Sequence, residues 1–109
     1  MHSAKRQKEY QSLRLKLSRL GWISDGYAQN RGRGAGGPCF QWTRKVQGKT
    51  VSVALSEEQF AALAKAIGTW QKTKKIIQRM QQLSREEIFM TLPGIKRRKP
   101  LSKKVLGLS

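Results

Sequence analysis

The chain has 109 residues, enough for one modest core, and carries 23 Lys and Arg against 6 Asp and Glu, a formal net charge of +17. An excess this large goes beyond what solubility requires and points to a polyanionic partner, nucleic acid being the commonest. No apolar run approaches the roughly 18 residues of a membrane span, and the single cysteine, Cys39, permits neither an internal disulfide nor a zinc site.

Residues 4 to 20, AKRQKEYQSLRLKLSRL, place Tyr10, Leu13, Leu17 and Leu20 on one stripe of a helix, with Gly21 positioned as a left-handed C-cap. Lys5, Arg6, Lys8, Arg14, Lys16 and Arg19 take most of the remaining surface, either as a solvated face or as phosphate contacts. Residues 21 to 38, GWISDGYAQNRGRGAGGP, read as turn and loop, in which Trp22-Ile23 either pairs as a short strand or anchors the loop into the core. At the centre of that loop Arg31 and Arg33 stand among glycines. The composition suits a loop moulded along phosphates, or a flexible connector before Pro38.

A β-hairpin follows in CFQWTRKVQGKTVSVAL. A two-residue turn at Gln47-Gly48 sets Val46 opposite Lys49, Arg44 opposite Val51, Trp42 opposite Val53 and Phe40 opposite Leu55. One face then carries Phe40, Trp42, Val51, Val53 and Leu55 and reads as core. The other carries Gln41, Thr43, Lys45, Thr50, Ser52 and Ala54. That polar face is either solvated scaffold or a surface that reads base edges in a major groove, which a two-stranded ribbon enters as well as a helix does.

Ser56-Glu57-Glu58-Gln59 is a capping box that opens a long helix, with Phe60, Leu63, Ala64, Ile67, Trp70 and Ile77 along one face. Gly68 interrupts the stripe and marks a kink or a close packing contact. A second box, Ser84-Arg85-Glu86-Glu87, with Leu83 and Ile88 as a hydrophobic staple, predicts a further short helix ending at Pro93-Gly94. The tail carries Lys96, Arg97, Arg98, Lys99, Lys103 and Lys104 and is expected to stay disordered until it meets an anion.

Glu57, Glu58, Glu86 and Glu87 fall in these expected first turns, where they offset the helix dipole. No spare carboxylate pair is left for acid–base chemistry, and the one histidine, His2, lies at the terminus without a nucleophile to serve. No phosphate-binding or dinucleotide fingerprint is present. The expectation is a non-enzyme with no cofactor, no metal and no small-molecule substrate.

The order of strand, tight turn with Gly48-Lys49, strand and long helix resembles the arm-type DNA-binding domains at the N-termini of tyrosine recombinases. That resemblance implies a sheet, backed by one helix, laid in the major groove. Gly37-Pro38, Phe40, Trp42, Gly48-Lys49-Thr50, Ala66-Ile67 and Leu83-Ser84 also resemble an uncharacterised bacterial family of short basic proteins encoded beside transposases, over residues 23 to 88. Many members of that family look to have clustered cysteines in the loop before the Gly-Pro pair, where this chain has Arg31-Gly32-Arg33-Gly34 and only Cys39, so metal binding is not implied here. The resemblance implies an accessory protein of a mobile element.

Together these features predict an α+β fold: a basic N-terminal helix over 1–21, a core of β-ribbon or three-stranded sheet backed by a long helix over 22–92, and a basic tail over 93–109. The expected function is double-stranded DNA binding, with a transposase or recombinase as the protein partner. The expected nucleic-acid contacts are Arg31, Arg33, Gln41, Thr43, Arg44, Lys45, Lys49, Ser52, Lys96, Arg97, Arg98, Lys99, Lys103 and Lys104. Two alternatives stand beside it: an RNA-binding component of a ribonucleoprotein, and a protein-interaction adaptor using the Tyr10-Leu13-Leu17-Leu20 stripe. MHSAKRQKEY has no apolar signal core, so a cytoplasmic protein is expected, nucleoid-associated if bacterial, with no membrane partner.

Overall fold

The computed structural model describes residues 2–34 and 36–108; Met1, Ser109 and Ala35, the last at the centre of the glycine-rich loop, lie outside the described residues. The fold is α+β, with a three-stranded antiparallel sheet, a long helix and an N-terminal helix. It divides into two units, one formed by Leu20–Thr73 and the other by Met1–Arg19 together with Lys74–Ser109.

In the Leu20–Thr73 unit, strands β1 (Tyr27–Asn30), β2 (Phe40–Val46) and β3 (Lys49–Leu55) lie in the order β1-β2-β3. The hairpin has the expected register, from Val46 opposite Lys49 to Phe40 opposite Leu55. Gln47 and Gly48 both take positive φ, 50° and 79°, the conformation whose twist matches that of the flanking strands.

The third strand does not come from Trp22-Ile23, one of the two roles the sequence suggests for that pair. Tyr27–Asn30 fills that place, pairing Tyr27 with Thr43 through to Asn30 with Phe40. The Ser24 amide donates to the Ala66 carbonyl of the long helix at 3.2 Å, which ties the segment before β1 to the helix rather than to the sheet edge. Trp22 is 90% exposed, so it does not anchor the loop in the core either.

Helix α2 (Glu57–Thr91) begins in this unit. Its capping box is reciprocal: the Ser56 amide donates to Gln59 Oε1 at 3.0 Å, and the Gln59 amide donates to Ser56 Oγ at 3.1 Å. The Phe40 and Phe60 rings stack at 4.9 Å, joining the sheet to the helix's first turns, a pair worth about 0.5–1.5 kcal/mol beyond its buried area. Ala66 and Thr73 are buried, and the Thr73 hydroxyl donates to the Thr69 carbonyl at 2.7 Å. Cover over the apolar sheet face is incomplete. Val51 and Val53, expected in the core, remain 39% and 42% exposed.

The second helix predicted at Ser84 is absent as a separate element, because α2 continues unbroken to Thr91. Between Gly68 and Pro93 the sequence offers no Gly or Pro to stop it. The Ser84 hydroxyl donates back to the Met80 carbonyl at 2.8 Å instead of accepting from a helix start. Leu83, read as a staple outside the helix, is the most buried apolar residue among those described, at 2% exposure. Gly68 is exposed with nothing near its missing side chain, so it marks no close contact.

In the other unit, α1 (His2–Ser18) lies with the second half of α2. It ends earlier than expected: the Ser18 hydroxyl donates to the Leu15 carbonyl at 2.7 Å, and the Arg19 amide closes a tight turn onto Lys16. Gly21 has no positive φ and is not its cap. Leu13 and Leu83 are the buried apolar residues among those described in this unit. Across it Arg79 grips Glu9 with two bonds of 2.7 and 2.9 Å, and Glu87 accepts from Arg6 at 2.9 Å and from the Ser3 hydroxyl. Within the tail, α3 (Lys103–Leu106) is one helical turn capped by Ser102 and closed by Gly107, whose carbonyl accepts from Arg85 at 3.2 Å.

Candidate functional site

Strand pairing assembles the polar face of the sheet into transverse rows. Tyr27, Thr43 and Ser52 form one row, Gln29, Gln41 and Ala54 the next, and Lys45 with Thr50 a third. Opposite residues in paired strands project to the same side, so these side chains share one surface. Thr43 Oγ1 and Ser52 Oγ lie 3.4 Å apart, and Arg31 Nη1 donates to Gln41 Oε1 at 3.5 Å, drawing the loop guanidinium to the edge of that surface.

The expected residues Gln41, Thr43, Lys45 and Ser52 therefore stand together, with Arg31 beside them. Arg33 is exposed in the loop, among glycines at positions 32, 34, 36 and 37 that all take positive φ. Arg44 and Lys49 project to the opposite face, where the Arg44 guanidinium lies 5.2 Å from the centre of the Trp42 ring, a cation–π arrangement. Lys96, Arg97, Arg98, Lys99, Lys103 and Lys104 are exposed residues of the other unit.

Sequence reasoning missed Tyr27 and Gln29. Tyr27 is 64% exposed and is the aromatic of the polar face. The available signal was a single strand-favouring aromatic, Tyr27, just after the Asp25-Gly26 turn pair, too little to stand out from the glycine-rich loop beside it.

No acidic residue lies in any of the three strands, which carry Arg44, Lys45 and Lys49. Glu57 and Glu58 sit in the first turn of α2. In the other unit, the bonds from Arg79 hold the Glu9 carboxyl below its ordinary range, and those from Ser3 and then Arg6 do the same for Glu87. Both carboxylates are thus committed to ion pairs across that unit. A groove of about 660 Å³ in that unit is lined by Tyr10, Leu83 and Ile88 with Arg6 and Lys8 at its side.

Among the described residues no group of three or more His, Cys, Asp or Glu stands close enough to hold a metal ion, and Cys39 is free and half-buried. No helix among the described residues is long and apolar enough to cross a membrane. Comparison with protein-family models, with curated proteins and with solved structures finds no match to this chain.

Proposed function

We propose that this chain is a non-catalytic binder of double-stranded DNA that presents the polar face of its sheet to the major groove, as an accessory to a transposase or recombinase. The observation that carries the DNA reading is the acid-free sheet surface on which Tyr27, Gln41, Thr43, Lys45 and Ser52 are brought together, in a chain of net charge +17. Amide and hydroxyl groups of this kind exchange hydrogen bonds with base edges, while exposed Lys and Arg neutralise phosphates without reading sequence.

Dimensions favour DNA over RNA. Three strands about 4.8 Å apart span about 10 Å between outer backbones, comparable with the roughly 12 Å width of the B-form major groove. The major groove of A-form RNA is deep and narrow and excludes such an element. The adaptor reading has less support, because Leu13, the centre of its stripe, is only 9% exposed. The accessory role rests on the resemblance at Gly37-Pro38 and Gly48-Lys49-Thr50.

The test is selection from random duplexes, followed by paired titrations on selected duplex, scrambled duplex and structured RNA. Gln41→Ala, Thr43→Ala and Lys45→Ala should each reduce discrimination between selected and scrambled duplex by about 1–3 kcal/mol, with melting temperature nearly unchanged. Failure of any preferred duplex to emerge, or tighter binding of the RNA, would overturn the proposal.

A further inference from the structure

Strand β3 has one neighbour, β2, so its other side is an edge of the sheet. All of its residues except Leu55 are exposed. Edge strands normally carry some protection against pairing: shortness, proline, a bulge, or charges along the strand. Strand β1, at the opposite edge, is four residues long. Strand β3 is seven residues long, KTVSVAL, with no proline, an unbroken register against β2, and a single charge, Lys49, at its start.

The two-residue turn determines which backbone groups this edge offers. Val46 and Lys49 flank the turn and form a hydrogen-bonded pair; alternation along the ladder then directs the amides and carbonyls of Val51, Val53 and Leu55 toward β2. Thr50, Ser52 and Ala54 turn theirs outward to the open edge.

We propose that two copies of this chain pair antiparallel along β3, about a twofold axis through Ser52, into one continuous sheet. In this register Ser52 meets the partner copy's Ser52 and Thr50 meets Ala54, so every outward amide and carbonyl of those residues finds a mate. A shift by two residues in either direction leaves some of them unmatched. The same register sets Val51 opposite Val53 on the apolar side, in non-hydrogen-bonded pairs where side chains approach most closely. These are the two valines left 39% and 42% exposed in the single chain. The symmetry is that of an isologous dimer, one patch matched to itself.

Charge does not forbid the pairing, although each copy carries +17. Lys49 lies opposite Leu55, so the two lysines occupy opposite ends of the joined strands, about 20 Å apart at about 3.4 Å per residue. That separation exceeds the screening length of about 8 Å at physiological salt. The pairing is independent of the nucleic-acid reading.

Sedimentation of the purified protein over a dilution series, at physiological salt and without nucleic acid, tests the pairing. A concentration-dependent dimer is expected, and Val51→Lys/Val53→Lys should abolish it while keeping the circular dichroism spectrum. Ser52→Pro, which removes an outward amide and no backbone bond to β2, should do the same. In a Cys39→Ser background, Ser52→Cys should give a disulfide-linked dimer under mild oxidation, because hydrogen-bonded antiparallel partners stand about 5.5 Å apart at Cα. Gln29→Cys, on the opposite edge strand, should not. A monomer at every concentration, a dimer indifferent to both edge variants, or equal cross-linking at residue 29 would overturn the proposal. A β3 dimer for which selection yields no preferred duplex supports the pairing and overturns the DNA reading alone.

Discussion

Gly26 lies so close against the Trp42 indole that a β-carbon at residue 26 would stand 2.4 Å from Nε1 and 2.9 Å from the Thr43 carbonyl oxygen. The same indole N–H donates to the Asp25 carbonyl at 3.1 Å, and Gly26 takes a φ of 96°. This junction delivers the chain into β1, and hence places Tyr27 on the polar face.

Gly26→Ala should lower unfolding free energy by about 2 kcal/mol or more, because the new methyl meets both a strained φ and backbone that cannot give way. Gly68→Ala, at an exposed helical position with nothing within 4 Å, should act in the opposite direction and stabilise by about 1 kcal/mol. Denaturant unfolding of the two variants checks both signs. Equal behaviour would show that the Gly26 approach is not needed in the folded state.

Acid should loosen the unit that contains α1. Glu9 and Glu87 are both held below the ordinary glutamate value of 4.5 by their partners in the fold. A carboxylate lowered in this way contributes stability that is complete above its unfolded value and is lost as pH falls through the lowered, folded one. Melting temperature should therefore hold from neutrality to about pH 5 and then fall more steeply in the native chain than in Glu9→Gln/Glu87→Gln. The side chains of Arg79 and Glu9 are 36% and 42% exposed, so the effect should be modest and should shrink with added salt. Identical acid profiles for both proteins would show that these pairs do not hold α1 in place.

The tail should contribute affinity without discrimination. Replacing Lys96, Arg97, Arg98, Lys99, Lys103 and Lys104 by Gln should weaken binding to every duplex alike, and should reduce the slope of log K against log salt by about 0.9 for each phosphate that the tail no longer neutralises. The ratio between selected and scrambled duplex should not change. An unaltered slope would remove the tail from the interface, and an altered ratio would show that it reads bases.

The hairpin register, the Ser56 capping box and the split of the ribbon into a polar and an apolar face were legible in the residues. Each depends on neighbours in the chain: two turn residues for the register, four consecutive residues for the cap, a period of two for the faces. The candidate site was partly legible for the same reason, since Gln41, Thr43, Lys45 and Ser52 follow from that period once the turn is placed. Tyr27 and Gln29 join them only because β1 pairs with β2 across the glycine-rich loop, a pairing that neither composition nor periodicity signals.

The sequence by itself determined local geometry and total charge. Tertiary structure decided where the third strand lies, how far α2 runs and what the acidic residues do. Ser24 is claimed by Ala66, and Glu87, read as a first-turn residue, is claimed by Ser3 and Arg6, 84 and 81 positions away. Glu9 is claimed by Arg79, 70 positions on. Pairings at such separations leave no repeating pattern along the chain, because they depend on where the backbone has already carried each partner. The second capping box shows the same physics at close range. Ser84 has the chemistry of a helix start, but a helix already under way, with Leu83 buried and no glycine or proline to stop it, turned that hydroxyl back onto Met80.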